Sequence, residues 1–281
     1  MHFSKMRRTM KGLRKGGMEL FFRVGLVLLF SVSLVSAQQS EFGDDEAYAE
    51  EMGPILELGK KTYEFRCMVC HGRKGDGKGY VGVIRRVERS GRLMEIYPRD
   101  FTVGVFRFRT TPTGCLPTDD DLQMIIKNGV PKSFMPPRKD LPQEERTAVM
   151  EYIRTFSERW EEEDPCDPIE VKKPDYVGDP VSVQKGLKVF KKMKCAECHG
   201  NEGKGDGPKS DKLKDDWGKP ILPFDFTTGP LKRGGSPEDV YITFTTGLDG
   251  TGMPSYEDSL TEEERWHLVS YTLQLMKQGK K

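Results

Sequence analysis

The chain has 281 residues, 36% hydrophobic and 32% charged, with 45 Lys and Arg against 44 Asp and Glu. That length allows two domains of ordinary size, but the apolar fraction is lean for two cores, so a large apolar group that supplies core volume is expected. Near-neutral charge argues against nucleic acid as a partner.

The N-terminus reads as a targeting segment. Residues 1–23 carry seven Lys or Arg and one acid, and an uncharged apolar run follows from Val24 to Val35. Val35-Ser36-Ala37 then places small residues where a signal peptidase cuts, which predicts a signal peptide over 1–37 and a periplasmic protein. The apolar run is about a dozen residues, short of the ~20 that a spanning helix needs; an uncleaved membrane anchor is the alternative. Without residues 1–37 the chain holds 38 basic and 43 acidic residues, a net charge of −5.

Next comes Arg66-Cys-Met-Val-Cys-His-Gly-Arg-Lys-Gly-Asp-Gly-Lys-Gly79, and 128 residues later Lys194-Cys-Ala-Glu-Cys-His-Gly-Asn-Glu-Gly-Lys-Gly-Asp-Gly207 repeats its layout. The repeat is wider than the cysteines. Gly59 and Tyr63 answer Gly186 and Phe190; Pro98-Arg-Asp-Phe-Thr102 answers Pro223-Phe-Asp-Phe-Thr227. Asp121 and Gly129 answer Asp239 and Gly247, and Met135-Pro136 answers Met253-Pro254. The segments from Leu141 and from Leu260 read as closing helices, with acids in the first turn where the helix dipole favours them. Each unit is thus predicted as a helix entering the motif, Gly-rich loops, a short middle helix, a Met-Pro loop and a last helix. No stretch alternates as a strand should, so the expected class is all-α. The polar, Pro-rich run from Glu161 to Pro180 reads as a linker between two semi-independent units.

Two thiols three residues apart on a helical turn can reach both vinyl groups on one edge of a porphyrin, and the His that follows then points at the ring centre. Cys67, Cys70, Cys195 and Cys198 are therefore candidate attachment points for two covalent haem c groups, with His71 and His199 as iron ligands. Each His Nδ1–H would need an acceptor, expected to be a backbone carbonyl in the following loop. The glycines after each His let backbone lie against a flat ring. A four-Cys zinc site and a redox-active dithiol are the alternative readings of the same cysteines. Met135 and Met253, each held before Pro in a loop, are candidate sixth ligands; Met94, Met124, Met150, Met193 and Met276 are expected to fill core. Arg99, Arg107, Arg109, Lys232 and Arg233 are candidates for binding haem propionates. His267 has Ala148 as its counterpart and reads as a packing residue.

These motifs and the paired terminal helices resemble class I cytochrome c in tandem, over nearly everything from Leu58 onward. The resemblance implies two cytochrome c-like domains (38–160 and 181–281, linker 161–180), each wrapped around one haem, with entry and closing helices crossing so that Gly59 and Tyr63 pack on the helix of Tyr152, and Gly186 and Phe190 on that of Tyr271. It implies single-electron transfer between redox partner proteins, with no catalytic residues. A haem subunit of a larger, membrane-bound or multi-subunit respiratory oxidoreductase, and a dihaem enzyme with one labile iron, are the alternatives. Cys115 lies in an insertion of the first unit; a Cys115–Cys166 disulfide is favoured over Cys115 as an iron ligand.

Overall fold

The computed structural model describes residues 39–87 and 91–278; the signal-peptide and anchor expectations fall on residues outside these. The first unit contains α1 (Gln39–Arg66), α2 (Met68–His71), β1 (Ile84–Val87), β2 (Leu93–Ile96), α3 (Asp119–Asn128), α4 (Gln143–Arg154) and α5 (Arg159–Glu162). The second contains α6 (Pro180–Lys192), α7 (Ala196–His199), α8 (Pro237–Thr246) and α9 (Glu262–Gln278), with 3-10 turns at Ser210–Lys212 and Phe226–Thr228. Among the described residues no helix is long and apolar enough to cross a membrane.

Each unit has its own apolar cluster, built on the crossing of its first and last long helices. Gly59 and Gly186 make those crossings close. A Cβ at Gly59 would collide with the Ala148 carbonyl, and one at Gly186 with that of His267. One helix turn on, Tyr63 meets Tyr152 at 5.4 Å and Phe190 meets Tyr271 at 5.3 Å. Tyr63 also donates its hydroxyl to the Gly72 carbonyl at 2.7 Å, tying α1 to the glycine loop; Phe190 has no such hydroxyl.

The repeated Asp121 and Asp239 have a local cause. Thr118 and Ser236 cap α3 and α8, and the Asp three residues on returns a bond to the cap backbone in both. A capping box of this kind satisfies two N–H groups that would otherwise be orphaned at the helix start. Gly129 and Gly247 end the two helices at the same φ of 65°.

Two features depart from expectation. The chain is mostly helical rather than all-α, because β1 and β2 pair antiparallel with Ile84 opposite Ile96. Four residues per strand are too few for alternation to register in the sequence. The units also share an interface. Twenty residues separate Phe101 from Asp121 but thirteen separate Phe226 from Asp239, and the longer loop of the first unit is pressed against the second. Arg109 in it is fully buried, donating to Thr246 O at 3.1 Å and Asp249 at 2.8 Å. Arg107 reaches Asp215 at 3.2 Å. From the hairpin, Arg92 reaches Gly205 O at 2.6 Å and Asp211 at 2.9 Å. The linker is fastened as well: Cys115 and Cys166 form a disulfide with their Cα atoms 5.9 Å apart.

Candidate functional site

The two Cys-x-x-Cys-His turns are built alike. Cys67 N–H closes on Tyr63 O and Cys195 N–H on Phe190 O, so each motif continues the helix that enters it. The second turn holds one more residue, and Lys194 takes it up with φ 54°. His71 Nδ1 lies 3.0 Å from Arg99 O, and His199 Nδ1 lies 3.1 Å from Phe224 O. These carbonyls belong to the repeated Pro-x-Asp-Phe-Thr segments, whose role the sequence did not show. Asp100 and Asp225 accept from the Thr two residues on, closing the turn that presents the carbonyl. The Phe of each segment stacks on the imidazole, at 4.5 Å for Phe101 on His71 and 4.6 Å for Phe226 on His199. With Nδ1 donating its proton to a carbonyl, Nε2 is the ring atom left to act as a ligand.

Met135 and Met253 sit in loops of equal length and equal bonding. Val130 N–H meets Met135 O and Leu248 N–H meets Met253 O, both at 3.0 Å. Ser133 and Thr251 fold back on Val130 and Leu248 through both N–H and hydroxyl. All eight candidate residues, Cys67, Cys70, His71, Met135, Cys195, Cys198, His199 and Met253, line one continuous cavity of about 1070 Å³. A small-molecule pocket spans roughly 300–1,000 Å³, so this space exceeds that range and is shared by both units.

Two family matches divide the chain: the cytochrome c family covers residues 183–276, and the family described as cytochrome C oxidase, cbb3-type, subunit III covers residues 55–153. A chain of the Kuenenia stuttgartiensis reducing HAO-like protein complex is 42% identical, with a TM-score of 0.70, over 78% of this chain and 96% of that one. The chain belongs to the c-type cytochromes. No curated protein matches it. Membership implies covalently bound haem c and electron transfer as its business.

The residues of this cytochrome fit that group. Burial pushes the Cys67 and Cys195 thiols up to about 11. A redox-active dithiol instead needs a thiol pulled down toward neutrality. Among the described residues, no three of His, Cys, Asp or Glu converge as a metal-ion cluster, so the cysteines are not gathered as a zinc site requires. Burial also lowers the basicity of His71 and His199, which favours the neutral imidazole that binds iron. The glycine loops leave no room for side chains: a Cβ at Gly79 or Gly207 would strike the backbone of the Cys-x-x-Cys turn itself.

The arginines divide. Arg99, Arg107, Lys232 and Arg233 line the cavity. Arg107 Nε and Arg233 Nε and Nη1 are buried without a hydrogen-bond acceptor, the arrangement a carboxylate of the group would complete. Burial pulls the Arg99 guanidinium down to about 9, with Arg107 adding to the effect. Arg109 is different: it does not line the cavity, and it donates to Phe106 O, Pro112 O, Thr246 O and Asp249, so it is an interface residue rather than a propionate ligand. Met94, Met150 and Met193, expected in the core, all line the cavity; Met150 is at the same time buried in the apolar cluster of the first unit and Met193 packs against that of the second, while Met276 is buried in the core as expected. His267 is buried against Ser182 and Tyr176, away from the site. Cys115 is spent on its disulfide. The sequence also missed Tyr97, Asp215, Trp217 and Lys219, which line the cavity from loops with no motif.

Proposed function

We propose that the chain is a periplasmic dihaem cytochrome that moves single electrons between redox partner proteins. Cys67 and Cys70 would tether one haem c and Cys195 and Cys198 the other, with His71 and Met135, and His199 and Met253, as axial ligands. The observation that carries this reading is that both Cys-x-x-Cys-His turns and both Met-Pro loops face one shared cavity while each His spends Nδ1 on a carbonyl. Haem iron, when bound, supplies a one-electron couple whose potential is raised by a Met partner relative to two nitrogen ligands. The protein supplies the rest. Phe101 and Phe226 fix the imidazole planes, the glycine loops pack on the backbone of the Cys-x-x-Cys turns, and Arg99, Arg107 and Arg233 would offer charge to the propionates. With His71 and Met135, and His199 and Met253, as ligands, the iron would offer substrate no open place, and no catalytic residue is assigned. The proposed boundaries are a signal peptide at 1–37, domains at 38–160 and 181–281, and a linker at 161–180. The test is mass spectrometry of the protein matured with a cytochrome c assembly system. Two haem increments on the intact chain, and one after Cys195→Ser with Cys198→Ser, are expected; a single increment on the wild-type chain contradicts the reading.

A more specific version, a haem subunit in a larger oxidoreductase complex, is supported by the similarity to a chain of the HAO-like complex and by one surface. Around the first haem motif, Phe65 is 78% exposed, Tyr80 98%, and Val69 and Val81 45% each. Phe65 and Val69 are one helical turn apart, and Val81 N–H bonds Val69 O. Four basic side chains and one acid lie between Arg66 and Val81. An apolar centre with a basic surround on an otherwise acidic chain fits a protein partner whose rim is acidic. Co-elution with other haem subunits from cells at low salt, lost on Val69→Glu with Tyr80→Glu, is expected; elution of the native protein as a lone chain contradicts it.

A further inference from the structure

The two methionine loops are equal in length and close on matching backbone bonds, yet they carry opposite charges at neighbouring positions, Lys132 in one and Asp249 (opposite Pro131) in the other, and each charge reaches the other unit. In the second unit the charge is Asp249. Its carboxylate accepts from Arg109 Nη2 at 2.8 Å, Thr113 Oγ1 at 2.7 Å and Gly114 N–H at 2.9 Å, all in the long loop of the first unit. Arg109 also holds Thr246 O, at the end of the helix that leads into the same loop. In the first unit the charge is Lys132. Its ammonium lies 2.7 Å from Thr228 Oγ1, 3.0 Å from Thr228 O and 3.3 Å from Pro230 O in the second unit. It also sits 4.5 Å above the ring of Phe224, whose carbonyl orients His199.

The backbone supports a purpose for Lys132. It stands at φ 62° where the matching residue of the other loop is Gly250 at φ 75°. A left-handed conformation is unfavourable for a side chain with a Cβ, and such residues persist where surrounding contacts hold them. Here the contacts of the ammonium with Thr228 and Pro230 come from the other unit, beside the loop's own Ser133–Val130 bonds. Gly250 in turn is backed by the Trp217 ring, which also carries the Arg99 guanidinium at 5.3 Å, and Arg99 gives its carbonyl to His71.

We propose that docking of the two units is what holds their sixth-ligand loops: Arg109, Thr113 and Asp249 latch the Met253 loop, and Lys132 latches the Met135 loop. These are positioning residues, acting through the methionines, and the inference rests on the reading of Met135 and Met253 as axial ligands. A loop freed of its latch spends more time open, and an external ligand competing for the sixth position then binds tighter in proportion to the open fraction.

Imidazole is the probe. Its binding to the oxidised dihaem protein is followed through the far-red iron–methionine band, while the hyperfine-shifted methyl signals of the two ligand methionines report each site separately. Met135→Ala and Met253→Ala assign the signals. Asp249→Asn is expected to tighten imidazole binding about tenfold at the Met253 site and leave the Met135 site unchanged. Lys132→Met is expected to do the reverse, and Thr113→Val to shift the Met253 site less than Asp249→Asn. If Asp249→Asn weakens folding, Thr113→Val alone carries the test, since it leaves the Arg109–Asp249 ion pair in place. Wild-type imidazole affinity at both sites in all three variants, with Met253→Ala still releasing its signal, overturns the latch. If Met253→Ala leaves the far-red band and both methyl signals intact, the axial-ligand reading falls first, and the latch with it.

Discussion

The two halves of the chain share a plan for holding a haem and differ in what they show to the outside. Inside, each plan element recurs: the glycine crossing, the carbonyl behind the histidine, the stacked phenylalanine, the capped middle helix and the six-residue methionine loop. At the surface the positions of Phe65, Val69 and Val81 are taken by Lys192, Glu197 and Lys209 in the second unit. Lys209 closes on Glu197 at 2.5 Å and Lys192 on Glu264 at 2.7 Å. Three basic and three acidic side chains lie between Lys194 and Lys209, against four and one in the first unit. The residues common to both motifs recur within the chain, while the surface around them has diverged. One unit has an exposed apolar collar with basic groups around it, and the other a self-paired, charged one.

The largest effects should fall on the shared interior and be equal in the two halves. Gly59→Val and Gly186→Val each drive a branched side chain into a helix carbonyl that no rotamer avoids, and each should cost ~3 kcal/mol, the upper end of overpacking. Denaturant titration of the holoprotein reads this. Because the interface is built on a fully buried arginine, both variants should still unfold in one transition, and two separated transitions would mean that the units are independent after all.

Next in size is a feature of the first unit alone. Cys115→Ser with Cys166→Ser opens a 51-residue loop and should lower stability by up to ~4 kcal/mol. The same double variant should leave the far-red band in place, since neither cysteine lines the cavity.

A smaller difference should separate the collars. Hexacyanoferrate(III), an anion, should oxidise the first-unit haem several-fold faster than the second at low ionic strength, and the ratio should fall toward one at 1 M salt, where the Debye length is about 3 Å. Equal rates at low salt would show that the extra basic groups do not face the exposed edge. The smallest effect is local to the second collar. Lys209, through its hydrogen bond, holds the Glu197 carboxyl below the ordinary carboxylate value. The pair therefore contributes above the unfolded carboxylate pKa and is lost as pH falls through the depressed folded value. Lys209→Gln should move the Glu197 titration upward, as read by carboxyl-carbon NMR.

The two-unit helical plan and the candidate ligand positions were legible because they are written in residues with few other uses. Cys-x-x-Cys-His, Met-Pro and Gly four residues before an aromatic each demand a specific backbone or a specific atom, and their recurrence at matched spacing marks two units. A backbone carbonyl behind each histidine was expected from imidazole chemistry, but which carbonyl was not legible, because a backbone acceptor has no side-chain signature; the acceptors are Arg99 O and Phe224 O in the repeated Pro-x-Asp-Phe-Thr segments, well beyond the loop that follows each motif. The hairpin escaped because its strands are four residues long. Arg109 was a candidate haem contact that turned out to face Asp249, because a buried arginine has the same sequence appearance in either place. Contacts between units depend on the docked arrangement, which no local pattern encodes.

The measurement that bears most directly on the dihaem account is a redox titration of the matured protein followed by absorbance across the Soret and far-red bands. The account predicts two one-electron steps from two low-spin haems, each showing the iron–methionine band when oxidised. A single step, or a high-spin haem lacking that band in either oxidation state, would contradict it and return the open-iron enzyme reading to the front.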